Sequence, residues 1–130
     1  MSEPTSDPAD SKPVVLVAED DPSVRMAIEF VLEGEGFEVL VAEDGERALD
    51  MARSKSPDAI LLDQMMPKLD GKQVLSRLRE SKDTADIPVL VLTGMALGGP
   101  GEWPGAHFVG KPFAPADLVE CIRDVLNSGV

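Results

Sequence analysis

Five polar residues stand where apolar runs of the sequence stop. The run "VVLVA" leads into Glu19 and Asp20, "AILL" into Asp63, "PVLVL" into Thr93, and "HFVG" into Lys111. A single charge in such a place caps a strand at the surface and does nothing more. Three carboxylates, a hydroxyl and an ammonium delivered to one spot would be different. Two like charges about 4 Å apart repel by about 4 kcal/mol at an effective dielectric of about 20. Grouped carboxylates therefore either take up protons or gather a cation. Hard oxygens at a partly open site suit Mg²⁺, which keeps several waters and needs only one or two protein carboxylates.

Whether these groups meet depends on the elements that carry them. "VVLVAEDD" reads as a strand buried on both faces, with Asp21 as an N-cap and Pro22 at the first helical position. Val24, Ala27, Ile28, Val31 and Leu32 recur at helical spacing, and Gly34 or Gly36 stops that helix. "FEVLVA" is a second strand, after which Asp44 caps a helix through Leu49 and Ala52 that ends by Pro57. "DAILL" is the third strand, followed by a helix over about 72–80 carrying Val74, Leu75 and Leu78. "PVLVLT" and "HFVG" are the fourth and fifth strands. A last helix over about 115–128 turns Leu118, Val119, Ile122, Val125 and Leu126 inward. Strands alternating with helices mean right-handed crossovers and a parallel α/β sheet, doubly wound, with helices on both faces. Ligands bind such sheets at the carboxyl ends of the strands, and all five polar groups lie there by strand polarity alone. If the first and third strands are neighbours, Glu19, Asp20 and Asp63 lie several Å apart.

The alternation breaks once, at "GMALGGPGEWPG", residues 94–105, where seven of twelve residues are Gly or Pro. Each Gly costs a helix about 1 kcal/mol relative to Ala, and each interior Pro about 3 kcal/mol. An irregular loop is expected, with at most one short turn over 95–97.

Composition narrows the partners. The 130 residues fit one domain, and the net charge of −12 repels phosphate backbones and anionic lipid, so neither nucleic acid nor a membrane is expected as a direct partner. No apolar run reaches the ~18 residues of a span, and no signal-peptide pattern is present. The single Cys121 precludes an internal disulfide and suits a reducing cytoplasm. Residues 1–13, polar and Pro-rich, read as a disordered tail ahead of a domain over 14–130.

The motifs "VAEDD", "LLDQMMPKLDG", "LTG" and "GKPF" resemble, in order and approximate spacing, the signature segments of the receiver domain of two-component response regulators. The resemblance covers about residues 14–128 and implies a flavodoxin-like sheet of order 2-1-3-4-5. Carried over position by position, it makes Asp63 the nucleophile that accepts a phosphoryl group from a phosphohistidine. Asp20 and Asp63 would bind Mg²⁺ directly, together with the backbone carbonyl of Met65, and Glu19 would act through a metal-bound water. Lys111 would pair with the Asp63 carboxylate and then with a phosphoryl oxygen. Thr93 would swing inward to bond the phosphoryl group. The implied partners are a sensor histidine kinase or histidine phosphotransfer protein and a downstream protein target. The protein would be a regulator, catalysing only its own phosphorylation and slow dephosphorylation.

Two departures from that pattern stand out. Thr93 and Lys111 are eighteen positions apart, about one helical turn short, so the fourth helix is expected to be shortened or replaced by the loop. The aromatic switch position falls on Phe108, which lacks the hydroxyl of the usual Tyr. Met65 and Met95, each two residues beyond Asp63 and Thr93, cannot position an attacking water and so favour a long-lived phosphoaspartate. Trp103 is expected to pack locally in its loop, His107 to bind no metal, and Cys121 to pack in the core beside Leu118 and Val125. The sequence stops close after its last helix, which fits a stand-alone receiver. A phosphate-independent pseudo-receiver is the alternative. A haloacid-dehalogenase-like hydrolase is more remote: it would need its nucleophile after the first strand and a second Asp two residues on, where Met65 stands.

Overall fold

The computed structural model describes residues 12–63, 70–93, 106–110 and 114–128, with Thr93 and Ser128 as backbone. Strands β1 (Val14–Ala18), β2 (Glu38–Ala42), β3 (Ala59–Asp63), β4 (Val89–Thr93) and β5 (His107–Gly110) form one parallel sheet in the order β2-β1-β3-β4-β5. Helices α1 (Pro22–Gly34), α2 (Gly45–Lys55), α3 (Gly71–Glu80) and α4 (Pro115–Ser128) cover it. The expected 2-1-3-4-5 order is the observed one. The loop expected at 94–105, and with it the fate of the family's fourth helix, lies outside the described residues, as do residues 1–11 of the expected tail.

Two-residue alternation along each strand sorts the core into two layers. Leu16, Ile60, Leu62, Val89 and Val91 pack with α2 and α3 through Leu49, Val74, Leu75 and Leu78. Val15, Val17, Leu61, Leu90 and Leu92 pack with α1 and α4 through Ile28, Leu32, Leu118 and Ile122. Both faces of β1, β3 and β4 are therefore dry, which is why their sequences are continuous apolar runs rather than alternating ones. Truncating one of these side chains, such as Leu62→Ala, removes about 2–5 kcal/mol from a fold of this kind.

Of the helices that start at the carboxyl edge, α1, α2 and α3 each do so on an acidic cap. Asp21 accepts from Ser23 N at 2.9 Å, Asp44 from Arg47 N at 2.8 Å, and Asp70 from Gln73 N at 2.9 Å. Gln73 returns the bond to Asp70 N at 3.0 Å, closing a capping box that starts α3 at Gly71, one residue before the expected Lys72. At the opposite edge α1 ends through Gly36 (φ 93°), a left-handed position that glycine takes without steric cost, and Phe37 N then bonds Leu32 O at 3.1 Å. α2 ends on Ser56, also left-handed at φ 48°. Arg123 of α4 holds the end of α1, bonding Glu35 Oε1 at 3.1 Å and lying over the Phe37 ring at 5.7 Å. Of the expected stripe on α1, Ile28 and Leu32 are buried and Val24 and Val31 half-buried, whereas Ala27 is exposed.

Candidate functional site

Strand register builds the site. Ala18 pairs with Leu62, so Glu19 and Asp63 fall side by side one step further along β1 and β3. Asp63 is the last residue of β3 and pairs with Leu92, which puts Thr93 one step beyond it at the end of β4. Thr93 pairs in turn with Gly110, the last residue of β5. No long-range coincidence is needed: each group arrives because its strand ends there.

The result is a cluster of three carboxylates. One oxygen each from Glu19, Asp20 and Asp63 can be chosen so that all lie within 4.8 Å of one another. Glu19 (2% exposed) and Asp63 (6%) are buried, whereas Asp20 is exposed. The β1–α1 turn that carries the first two is tied down at several points. Glu19 N donates to Ala42 O of β2 at 3.1 Å, and Glu19 Oε2 accepts from Asp21 N at 3.2 Å. From α1, Arg25 Nη1 donates to Glu19 O at 3.1 Å. The α1 N-terminus opens at the same edge, and its exposed N–H dipoles favour negative charge there.

The donor set suits one hard cation. Mg–O bonds are about 2.1 Å, so two oxygens on one Mg²⁺ lie no more than about 4.2 Å apart. A spread bounded by 4.8 Å fits two oxygens reaching the ion directly and a third acting through water. Among the described residues this is the one group of His, Cys, Asp and Glu side chains with such spacing, and exposed His107 is not part of it.

The remaining expectations divide by where they fall. Thr93 is placed by its backbone as the last residue of β4, whereas Lys111, Met65, Met95 and Trp103 lie outside the described residues. Phe108 is in β5, 42% exposed. Cys121 is half-buried against the α1/α4 layer, as expected for packing. Burial raises its thiol pKa, with Asp124, Glu120 and Asp117 pushing the same way, so little thiolate is present at neutral pH. Arg25 was not among the residues expected at the site. Its one signal in the sequence is a cation early in a helix, where the dipole disfavours it.

A parallel sheet in this order, with acids gathered just after β1 and at the end of β3, is the arrangement of a receiver-type domain. A family model for the response regulator receiver domain matches residues 15–123, and the chain belongs to that family of phosphorylation-activated signalling domains. The response regulator MprA of Mycolicibacterium vanbaalenii is 40% identical over 117 residues, which are 87% of this chain and 50% of that one. A probable transcriptional regulator, ycf27 of Guillardia theta, is 38% identical over 124 residues, 91% of this chain and 47% of the relative. The chain thus spans about half the length of the curated relatives it matches. Among solved structures, a putative response regulator from Chloroflexus aurantiacus superposes with a TM-score of 0.82 at 32% identity, covering 90% of this chain and 99% of the other. The receiver domain of a sensor histidine kinase from Pseudomonas aeruginosa, described with a magnesium ion coordinated in its active-site cleft, gives 0.83 at 29% identity, covering 90% and 99%. The domain is a signalling module rather than a metabolic enzyme. No described helix is long and apolar enough to cross a membrane.

Proposed function

We propose that Asp63 is the phosphoryl acceptor of a Mg²⁺-dependent switch that takes its phosphoryl group from a phosphohistidine on a partner protein. The observation that carries this reading is the grouping of Glu19 and Asp20 with a buried Asp63 at the end of the central strand. Asp20 and Asp63 would hold the metal directly, with the Met65 carbonyl, and Glu19 through water. When bound, Mg²⁺ offsets negative charge on the oxygens of the transferring group.

An Asp63 carboxylate oxygen attacks phosphorus in line, the P–O bond forms as the P–N bond to imidazole breaks, and the imidazole leaves with the bonding pair. Lys111 supplies a fixed positive charge beside the phosphoryl oxygens, and the Thr93 hydroxyl donates to one of them. The product carries roughly −2 where the carboxylate carried −1. That change draws Thr93 inward and biases the segment behind it, and Phe108 on β5 is the aromatic that follows. Met65 and Met95 lengthen the lifetime of the phosphoaspartate by offering nothing to orient a hydrolytic water.

Output by protein contact fits the charge of −12, which disfavours nucleic acid and anionic lipid, and the single cysteine fits a cytoplasmic setting. Met26 (64% exposed) and Phe30 (81%) stand one turn apart on α1, an apolar pair on the helix nearest the acids and a suitable contact for the phosphodonor protein. A phosphate-independent interaction module has no use for three carboxylates crowded at this cost.

The test is intact-mass measurement after incubation with acetyl phosphate. A gain of one phosphoryl group that needs Mg²⁺ and vanishes in Asp63→Asn is expected. An equal gain in Asp63→Asn, or none in the wild type, overturns the reading.

A further inference from the structure

The three acids are not held alike. Glu19 and Asp63 are fixed by burial, but Asp20 is exposed, so the aim of its carboxylate depends strongly on its backbone. That backbone is one planar unit with the Glu19 carbonyl: fixing the Glu19 C=O fixes the plane from which the Asp20 Cα departs. The group that fixes it is the Arg25 guanidinium, 3.1 Å from Glu19 O and half-buried. Helix stability gives no reason for a cation here. Arg25 is the fourth residue of α1, in a first turn that holds no acidic residue, where the helix dipole opposes positive charge.

We infer that Arg25 is a positioning residue for the metal site, clamping the Glu19 carbonyl so that the Asp20 carboxylate is presented to the ion shared with Asp63. The inference rests on the Mg²⁺ reading above and deepens it. It also opposes what charge alone predicts. A guanidinium bonded to the carbonyl between Glu19 and Asp20 also brings positive charge toward an incoming dication, so on Coulomb grounds its removal tightens Mg²⁺ binding. A clamp acts the other way: without it the Asp20 peptide samples other orientations, and the ion must order them on binding.

Calorimetric titration of the unphosphorylated protein with MgCl₂ separates the two. Arg25→Met keeps the aliphatic stem and removes both charge and donor; it is expected to weaken Mg²⁺ binding about tenfold, in the range seen when groups supporting metal ligands are lost. Arg25→Gln is neutral with a shorter donor and is expected to bind more weakly than wild type, by less than Arg25→Met. Arg25→Lys restores charge and one donor and is expected to recover part of the loss. The Asp20 amide ¹⁵N shift of the metal-free Met variant should move, since its own peptide plane has been released. Either neutral variant binding Mg²⁺ as tightly as wild type, or more tightly, overturns the clamp. Failure of the wild type itself to bind Mg²⁺ overturns the metal reading and this inference with it.

Discussion

The two edges of the sheet treat polar groups in opposite ways. At the amino edge three side chains, Asp58, Thr84 and Arg79, take backbone partners. Asp58 accepts from Val14 N at 2.7 Å and fixes the start of β1. Thr84, fully buried, donates to Leu78 O at 2.6 Å, and Arg79 reaches from α3 to Ala85 O at 3.0 Å and Ile87 O at 2.9 Å. Burial lowers the Arg79 pKa while Asp86 pulls it back up, which leaves a charged guanidinium tying down the turn before β4. At the carboxyl edge Glu19, Asp20 and Asp63 bring like charges together. One edge spends its polar groups on stability. The other keeps a concentration of negative charge suited to an incoming cation. The fold is the same sheet at both ends, so what differs is whether its polar groups are spread over backbone partners or like charges are gathered within 4.8 Å of one another.

That contrast is broken most strongly at Arg79. Arg79→Met removes two bonds from a charged donor to half-buried carbonyls and should lower stability by about 2–3 kcal/mol in urea denaturation. Mg²⁺ affinity should stay as in the wild type. A fall in affinity alongside the stability loss would mean that the edges are coupled. Asp20→Asn is expected to act in the reverse sense. Relieving one like charge should raise the metal-free stability by about 1 kcal/mol, and most of the rise in melting temperature on adding Mg²⁺ should disappear. A variant whose melting still responds to Mg²⁺ as the wild type does would remove Asp20 from the site. The smallest effect belongs to Ser56→Gly, again at the amino edge. A left-handed conformation costs an ordinary residue about 1–2 kcal/mol; after the larger unfolded-state entropy of glycine is subtracted, a gain of about 0.5 kcal/mol should remain.

The carboxyl edge was legible in the sequence because it is written in side chains. Apolar runs of four or five residues followed by Glu19, Asp20, Asp63 and Thr93, with Asp-Pro and Asp-Gly helix starts, define both the strands and the edge they share. The sheet order then followed from the resemblance those motifs carry. The amino edge was not legible, since its partners are backbone amides and carbonyls, which leave no mark in residue identity. Nothing in residue type marks Thr84, Arg79 or Arg25; their roles show only once Leu78 O, Ile87 O and Glu19 O stand opposite them. Ala27 was misplaced for a related reason: a small residue beside Ile28 fits either side of a helical stripe, and only packing against α4 decides which.

The central claim is that the crowded edge exists to load one particular carboxylate. Borohydride reduction of the protein after acetyl phosphate and Mg²⁺ converts an aspartyl phosphate into homoserine, and peptide mass sequencing then reads its position. The account predicts homoserine at position 63 and aspartate unchanged at 20, 21 and 58. Homoserine at position 20, or at any position other than 63, would contradict it.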